Sequence, residues 1–192
     1  MIIGSHNSWT YNRPKKWWMK LISFTAKCQS LNIEEQYNLG VRCFDLRLKF
    51  DNDGSAKIYH GIIEYDYTSL QLLKDLAWLN LRDDIVYIRI LHEVRTKNEY
   101  TDKSKNYFIY HIEQFKKYFP NLKFWCGRNL YNWRKDYNFG DDPTCEEKYA
   151  SVCNPKIDDL CPWIYARINN KKIVKEGTDK DILLIDFVEY GS

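Results

Sequence analysis

Several chemically active side chains stand at the ends of short apolar runs in this sequence of 192 residues. His6 and His60 are two of its four histidines, Asp45 and Arg47 alternate within "FDLRL", and Asp186 follows "DILLI". An imidazole can accept or donate a proton near neutral pH, because its unperturbed pKa is about 6.5. A guanidinium can stabilise charge on a phosphate. Two imidazoles beside a cation therefore suit acid–base cleavage of a phosphodiester.

In such a reaction, one neutral imidazole removes a proton from the attacking hydroxyl, and a second, protonated imidazole gives one to the leaving oxygen. Each proton transfer contributes about 100- to 10,000-fold in rate. Taken singly, each residue also has a structural interpretation: a hydrogen-bonded histidine, or a buried ion pair for Asp45 and Arg47. His92 and His111 are assigned to that structural class. The coincidence of two imidazoles, a guanidinium and carboxylates favours a site.

Five apolar runs alternate with helical patterns, and the runs are "MIIGSH", "VRCFDLRL", "KIYHG", "DIVYIRILHE" and "DILLIDFVE". Helices are predicted in "LNIEEQYNLG", ending at Gly40, in "TSLQLLKDLAWLNL", capped by Thr68 or Ser69, and in "NYFIYHIEQFKKYF", ended by Pro120. "NLKFWCG" is a further predicted strand, and loops with a short helix are expected over 128–162. This alternation predicts parallel strands with helical crossovers, in a βα-barrel or an open doubly wound sheet.

Ligands of parallel sheets bind at the carboxyl ends of the strands, so polar residues that directly follow an apolar run are candidates. These residues are His6, Asn7, Asp45, Arg47, His60, Glu93 and Asp186. Strand periodicity places Cys43, Asp45 and Arg47 on one face, and Phe44 and its alternating neighbours on the other. Asn7 and Glu93 are therefore candidate substrate-binding residues.

The composition predicts one globular domain over 1–192, with 44% hydrophobic and 29% charged residues. The net charge of +3 is too small to argue for a nucleic acid polymer, and no apolar stretch approaches the ~20 residues of a membrane span. The N-terminus shows no secretory signal, so a cytoplasmic protein is expected, or a secreted one if a signal has been removed. We also expect a monomer.

The six cysteines fit either a cytoplasmic or a secreted protein. Reduced, partly buried thiols are favoured, and the alternative in an exported protein is one disulfide among the last three. Cys145, Cys153 and Cys161 recur at intervals of eight, which matches no common zinc pattern.

Three motifs, "GSHNSWT", "LNIEEQYNLGVRCFDLRL" and "YHG", are similar in order, spacing and composition to the catalytic X region of phosphatidylinositol-specific phospholipases C. The closing "ILLIDFVE" resembles the last barrel strand of that family. The resemblance implies a compact α/β fold, a distorted (β/α) TIM-type barrel with trimmed elements, since a full barrel usually takes ~250 residues. It also implies cleavage through a cyclic phosphate formed by a neighbouring hydroxyl of the substrate.

Carried over position by position, the resemblance implies that His6 is the general base and His60 the general acid. Arg47 would be the phosphate-stabilising cation of the metal-independent bacterial type. Asp186 would orient His6, and Asp45 would support the side of the site that holds Arg47 and His60.

Asn7 departs from the bacterial pattern, which usually has Asp here, whereas calcium-dependent eukaryotic relatives have Asn. Calcium takes six to eight oxygen ligands, and Asn7, Asp45 and Glu93 could supply some of them. Arg47, however, stands where the eukaryotic type has a metal-binding acid. We therefore predict metal independence and no cofactor, with calcium held by those three residues as the alternative.

"RPKKWWMKLI" combines basic residues with two adjacent tryptophans, which suits an anionic bilayer surface. Packing of Trp17 and Trp18 under the barrel rim is the alternative, and we favour it slightly because the segment is short. In the aromatic-rich region further along, Arg128 and Tyr137 are candidate contacts to an inositol ring, a ribose or a base.

Three functions follow from these observations. The first is a lyase or hydrolase that cleaves phosphatidylinositol or a related phospholipid. The second is a barrel phosphodiesterase for a soluble phosphodiester, such as a glycerophosphodiester or a nucleotide signal. The third is a binding module that has lost turnover, and the presence of both histidines with Arg47 argues against it.

Overall fold

The computed structural model of the protein describes residues 1–51, 53–94, 99, 101–129, 149–151 and 161–191, with 125–129 and 149–151 described by their backbone alone. The strands in these residues are β1 (Ile2–Ser5), β2 (Cys43–Phe50), β3 (Ala56–His60), β4 (Ile63–Glu64), β5 (Val86–His92), β6 (Leu122–Asn129), β7 (Tyr149–Ser151) and β8 (Ile182–Ile185). The α-helices are α1 (Ile33–Asn38), α2 (Ser69–Asn80), α3 (Asp102–Tyr118) and α4 (Pro162–Glu176).

The strands form one sheet, whose parallel part has the order β7-β8-β1-β2-β5-β6. Helices α2 and α3 lie in the connections that lead to β5 and β6, as in crossover units. Over the described residues β6 and β7 do not pair, so the sheet is not closed between them. The fold is a mixed α/β, distorted and trimmed barrel, which confirms the predicted class.

The "KIYHG" run is an exception to the predicted parallel arrangement. It forms β3, which runs antiparallel to β2 and pairs with the two-residue strand β4 in a hairpin. Along one edge, β2 pairs with β1 at Cys43 and Phe44, and then with β3 from Leu48 onward. The two partners diverge between these positions, and that divergence opens the carboxyl end of the barrel.

The alternating faces of β2 pack in different places, as the periodicity predicts. Phe44 and Leu46 join the large core between the sheet and the helices, to which α2 contributes Leu76 and α3 contributes Phe108. On the opposite face, a small apolar cluster is formed by Cys43, Leu91, Ile182 and Leu184. This second cluster lies under the polar residues at the carboxyl ends of the strands.

Gly4 lets the short strand β1 fit beside this inner cluster. A Cβ atom at this position would lie 2.5 Å from the Leu184 side chain and 3.0 Å from Cys43 Cβ, which is closer than real contacts allow. A larger residue at position 4 would therefore push β1 away from β2 and β8, and His6 with it.

The predicted start of α2 and the predicted end of α1 are confirmed. Thr68 caps α2 in a reciprocal capping box with Gln71, and Gly40 takes a left-handed φ of 95° just after α1. The region expected to hold loops and a short helix contains strand β7, and the 15-residue helix α4 follows it. The pattern of α4 is hard to recognise because Ile168 is exposed while Asn170 is buried.

The tryptophan pair does not pack under the barrel rim, so the favoured expectation is wrong. Trp17 is 76% exposed and Trp18 42%, on a 3-10 turn over Trp17–Leu21 that is anchored by the buried Met19. Phe24 follows on the next turn and is also exposed.

The described helices include none with the length and apolarity that a membrane span requires. In the described part of the chain, Cys28, Cys43 and Cys161 carry free thiols, and Cys145 and Cys153 lie outside it.

His92 and His111 lie in an aromatic cluster, as their structural assignment predicts. The His92 ring stacks on Phe108 at 4.9 Å between centroids, and the His111 ring stacks on Phe50 at 5.0 Å. Burial lowers the pKa of both, and with Lys49 nearby the pKa of His92 falls to about 3. Both rings are therefore neutral in the folded protein at neutral pH.

We expect this cluster to make the fold acid-sensitive. Below the unfolded-state histidine pKa of about 6.5, the unfolded chain binds protons that the folded His92 does not, so stability present above that pH is lost as the pH falls. Between pH 6.5 and pH 5, His92 should cost at most about 2 kcal/mol of unfolding free energy. In denaturant titrations at a series of pH values, the free energy of unfolding of His92→Phe should fall less steeply below pH 6.5 than that of wild type. Above pH 7, the plots of free energy against pH should be parallel for the two proteins. Equal slopes in the two proteins would contradict this account.

Candidate active site

The candidate site lies at the carboxyl ends of β1, β2 and β8, next to the β3–β4 hairpin. Beyond β1, the Ser8 N–H donates to the Asp45 carbonyl at 3.0 Å, and the Asp45 N–H donates to Ser8 Oγ at 2.7 Å. The loop after β1 thus continues the pairing that β1 began with β2. It holds His6 and Asn7 beside the inward-facing residues of β2.

His6 and Asp186 form a hydrogen-bonded dyad. Their strands are paired partners, and His6 Nδ1 lies 2.8 Å from Asp186 Oδ1. On the other side of the ring, the Arg47 guanidinium approaches His6 Nε2 at 2.6 Å and the Asn7 amide nitrogen approaches it at 3.2 Å. Both neighbours can only donate, so Nε2 is the acceptor and the ring proton is on Nδ1, facing Asp186. This tautomer presents the lone pair that a general base needs.

The Asp45 carboxylate is fully enclosed and bound by two guanidinium groups. Arg47 Nε lies 3.0 Å from Oδ2, Arg89 contributes a nitrogen 2.7 Å from Oδ1, and the Asn7 N–H donates to Oδ2 at 3.1 Å. Burial alone would raise the pKa of Asp45, but the two guanidiniums outweigh it and hold the pKa well below its usual range. Asp45 is therefore ionised and holds the Arg47 side chain in place.

Arg89 is a site residue that the sequence reasoning missed. It lies on β5 directly opposite Asp45 in the parallel register, and it is 3% exposed. A signal was present, because Arg89 is the only charge within the apolar run "IVYIRIL". A buried charge in a strand requires a partner of opposite sign, and the adjacent strand offers Asp45.

His60 reaches the site from the end of the hairpin. Its ring centroid lies 6.0 Å from that of His6, with the two rings nearly perpendicular. His60 Nδ1 lies 2.7 Å from the Ala26 carbonyl oxygen, which accepts only, so Nδ1 carries a proton and Nε2 is left to exchange one. The hydrogen-bond partner is thus this carbonyl, whereas Asp45 was expected to support this side of the site. Burial, with the Arg47 charge nearby, lowers the pKa of His60 to about 3.

Glu93 lies under the turn that carries His60. Its Oε1 accepts the Gly61 N–H at 2.9 Å, and its Oε2 lies 3.7 Å from an Arg47 nitrogen. Gly61 has a left-handed φ of 60°, which lets the chain turn sharply after His60. Burial raises the pKa of Glu93, although the Arg47 charge opposes this. In the described part of the chain, Glu93 Oε2 and Asn7 Oδ1 are buried acceptors without a hydrogen-bond partner.

Two groups of residues could be considered for a metal. Asn7, Asp45 and Glu93 form the calcium alternative, but the Arg47 guanidinium pairs with both Asp45 and Glu93, so a fixed positive charge already occupies the place of the cation. Ligand atoms of His6, Cys28 and Asp186 lie within 4.8 Å of one another. Burial, together with the Asp186 charge, raises the pKa of the Cys28 thiol to about 12, so the thiolate that a metal requires is disfavoured.

The structure brings His6, Asn7, Asp45, Arg47, His60, Glu93 and Asp186 together at one end of the barrel. Tyr137 lies outside the described residues. Arg128 lies on β6, where the backbone alone is described.

Comparisons with solved structures match nearly the whole chain. A mutant phosphatidylinositol-specific phospholipase C from Staphylococcus aureus superposes with a TM-score of 0.67 and 14% identity, over 97% of this chain and 85% of that chain. The enzyme from Listeria monocytogenes gives a TM-score of 0.64 and 16% identity, over 97% and 87%. The chain has the fold of the bacterial phosphatidylinositol-specific phospholipases C.

A further structure of the Staphylococcus aureus enzyme, concerned with modulation of its membrane binding, matches with a TM-score of 0.65 and 15% identity, over 97% of this chain and 85% of that chain. No protein-family model and no curated protein matches the sequence. The fold resemblance seen in the sequence motifs is therefore confirmed by three-dimensional structure rather than by sequence comparison.

Arg89 should contribute strongly to stability because it neutralises half of a buried carboxylate. We expect Arg89→Met to lower the free energy of unfolding by about 3 kcal/mol, since removing one partner of a buried ion pair leaves the other uncompensated. Chemical denaturation at neutral pH measures this change.

Arg13→Met is the matched control, because Arg13 pairs with Asp66 at 3.2 Å on the surface with 76% of its side chain exposed. Its cost should be below about 1 kcal/mol. A loss at Arg89 no larger than at Arg13 would show that Asp45 does not need this partner.

Proposed function

We propose that the protein is a phosphodiesterase that cleaves phosphatidylinositol or a closely related phospholipid by acid–base catalysis. The observation that carries the proposal is the arrangement of His6 and His60, whose ring centroids are 6.0 Å apart, with Arg47 2.6 Å from the base nitrogen of His6. A phosphate bound between them would contact a base, an acid and a cation. The fold shared with bacterial phosphatidylinositol-specific phospholipases C supports the substrate class.

Under this proposal, His6 Nε2 accepts the proton of a substrate hydroxyl next to the phosphate. The hydroxyl oxygen attacks phosphorus and forms a cyclic phosphate, while the bond from phosphorus to the diacylglycerol oxygen breaks. Asp186 keeps the ring in the required tautomer and stabilises the imidazolium that forms, since it binds Nδ1 at 2.8 Å.

Arg47 changes partner when the substrate binds. Without a ligand it faces the His6 lone pair at 2.6 Å, and a phosphate oxygen is a stronger acceptor for a guanidinium than an imidazole. Movement of the contact to phosphate frees the lone pair of His6 and places the positive charge where negative charge develops. Asp45 and Glu93 raise the pKa of Arg47 against the effect of burial, so the charge persists at every working pH.

His60 donates the proton to the leaving oxygen. Its pKa of about 3 means that the unliganded ring is neutral, with Arg47 contributing to that depression. A bound phosphodiester brings a negative charge close to the ring and raises this pKa, so the substrate itself promotes the acid form. Binding of the negatively charged phosphate to this positively charged site thus favours the protonated His60 that the reaction needs.

The reaction needs no metal in this proposal. Arg47 supplies the positive charge, and the carboxylates that could otherwise hold calcium are already paired with guanidinium groups. Arg47 and calcium would therefore compete for the same oxygen atoms.

An exposed apolar surface beside the site suits contact with a membrane. Its members are Trp17, Trp18, Leu21 and Phe24, and Lys16 and Lys20 lie exposed among them. Phe24 is two residues from Ala26, whose carbonyl binds His60. A bilayer on this surface would bring a lipid headgroup to the mouth of the barrel.

Phosphorus NMR with phosphatidylinositol should show a cyclic inositol phosphate as the first product. His6→Ala and His60→Ala should each lower the rate at least about 100-fold, because each removes one proton transfer. His111→Gln is the matched control and should retain near-wild-type rate, since His111 bonds the Gly54 carbonyl away from the site.

The same assay in a metal chelator should proceed at an unchanged rate. Loss of turnover restored by calcium would contradict the metal-free mechanism. Cleavage of glycerophosphodiesters or cyclic nucleotides in preference to the lipid would move the function to soluble substrates.

Vesicle binding should depend on the exposed apolar surface. Trp17→Ala combined with Phe24→Ala should weaken sedimentation with phosphatidylserine-containing vesicles at least about tenfold, because each aromatic side chain buries apolar area worth 1.5–3 kcal/mol, roughly. Leu81→Ala is the matched control, since Leu81 is 73% exposed just before β5, at the opposite end of the barrel. Equal binding by both variants would remove the membrane role.

A further inference from the structure

The His6–Asp186 dyad depends on two chain segments that meet at the ends of β1 and β8. The His6 N–H donates to the Ile185 carbonyl at 2.9 Å, which continues the ladder of these strands. Immediately afterwards, Phe187 takes a left-handed φ of 46°, a conformation that is unfavourable for a residue with a Cβ atom. Asp186 thus stands between the end of a strand and an unfavourable turn, so its position must be held by other contacts.

The Gln29 side chain supplies contacts on both sides of the dyad. Its Nε2 donates to the His6 carbonyl and to the Ile185 carbonyl, each at 2.9 Å. Its Oε1 accepts the Val188 N–H at 3.2 Å. One fully buried carboxamide therefore joins the backbone of the base to the backbone before and after Asp186.

Asn170 of α4 holds the same turn from the opposite direction. Its Nδ2 donates to the Asp186 carbonyl at 2.6 Å and to the Phe187 carbonyl at 3.2 Å, and Asn170 is 3% exposed. The Phe187 N–H donates to the Cys28 carbonyl at 2.6 Å, next to Gln29 in the chain. The left-handed turn is thus fixed by donors and acceptors from two separate segments.

We propose that Gln29 is a positioning residue of the catalytic dyad, which sets the distance and orientation of His6 against Asp186, with Asn170 as its second support. This inference rests on the proposed function, because the dyad is the base of the proposed reaction. Gln29 acts through backbone carbonyls and an N–H and makes no contact with the reacting groups. Its carboxamide combines two donors and an acceptor at fixed angles, which an apolar side chain of equal size cannot reproduce.

The chain offers a closely matched control in Gln36. Gln36 is also fully buried, and its Nε2 donates to the Ser8 carbonyl at 2.9 Å and the Leu31 carbonyl at 2.7 Å. Like Gln29, it donates two hydrogen bonds from Nε2 to backbone carbonyls, although its Oε1 has no hydrogen-bond partner among the described residues, and it is bonded to neither member of the dyad. A generic structural effect of losing a buried carboxamide should appear equally at both positions.

Two measurements test the proposal with Gln29→Met and Gln36→Met. In proton NMR, the low-field resonance of the His6 Nδ1–H, assigned by its disappearance in Asp186→Asn, should move upfield or vanish in Gln29→Met and persist in Gln36→Met. This NMR measurement needs no turnover, so it tests the role of Gln29 independently of the proposed phosphodiesterase activity.

In the lipid assay, Gln29→Met should lower kcat about 10- to 100-fold with little change in KM, because a small misplacement of a catalytic group has effects of that size. The loss should disappear when Asp186→Asn is also present, since the dyad is then already broken. If Gln29→Met does not fold, Gln29→Asn, whose carboxamide is one methylene too short, serves in both measurements. An unchanged imidazole resonance, or losses that add fully in the double variant, would overturn the proposal.

Discussion

The buried negative charge of Asp45 is the constraint on which the site depends. A carboxylate at 1% exposure is tolerated only because guanidinium groups bind both of its oxygens. Its pairing orients Arg47 toward the imidazole of His6, and its contact with the Asn7 N–H ties the loop after β1 to β2. One charged group on β2 thereby fixes the Arg47 guanidinium, the loop that carries His6, and the neighbouring strand β5.

The divergence of β1 and β3 along β2 brings His60 close to the Arg47 charge. Because the β3–β4 hairpin pairs with the edge of β2 beyond the point where β1 ends, His60 approaches from outside the parallel sheet, and its ring meets that of His6 edge to face. Burial, together with the nearby Arg47 charge, lowers the pKa of His60, and the same positive charge attracts an anion. Under the proposed function, the phosphate of a bound phosphodiester would meet this positive charge.

The segment between the first site loop and α1 links the exposed apolar surface, His60 and His6. Its exposed end carries Trp17 and Phe24, and its middle places the Ala26 carbonyl against His60. Its buried end places Gln29 between His6 and the turn that holds Asp186. Under the proposed function, this segment would connect the membrane-contacting surface to both imidazoles through a few residues of backbone.

Local spacing in the sequence was sufficient to place most of the site residues at strand ends. The alternation of Asp45 and Arg47 put both on one face of β2, and capping chemistry located the start of α2 at Thr68, because backbone periodicity and caps are short-range properties. Tertiary structure alone decided the antiparallel course of β3, the pairing of Arg89 with Asp45, the carbonyl partner of His60 and the exposure of Trp17. Each of these depends on which distant segment fills a given position. The local sequence shows that Arg89 needs a partner of opposite charge, but the pairing of β2 with β5 decides that the partner is Asp45.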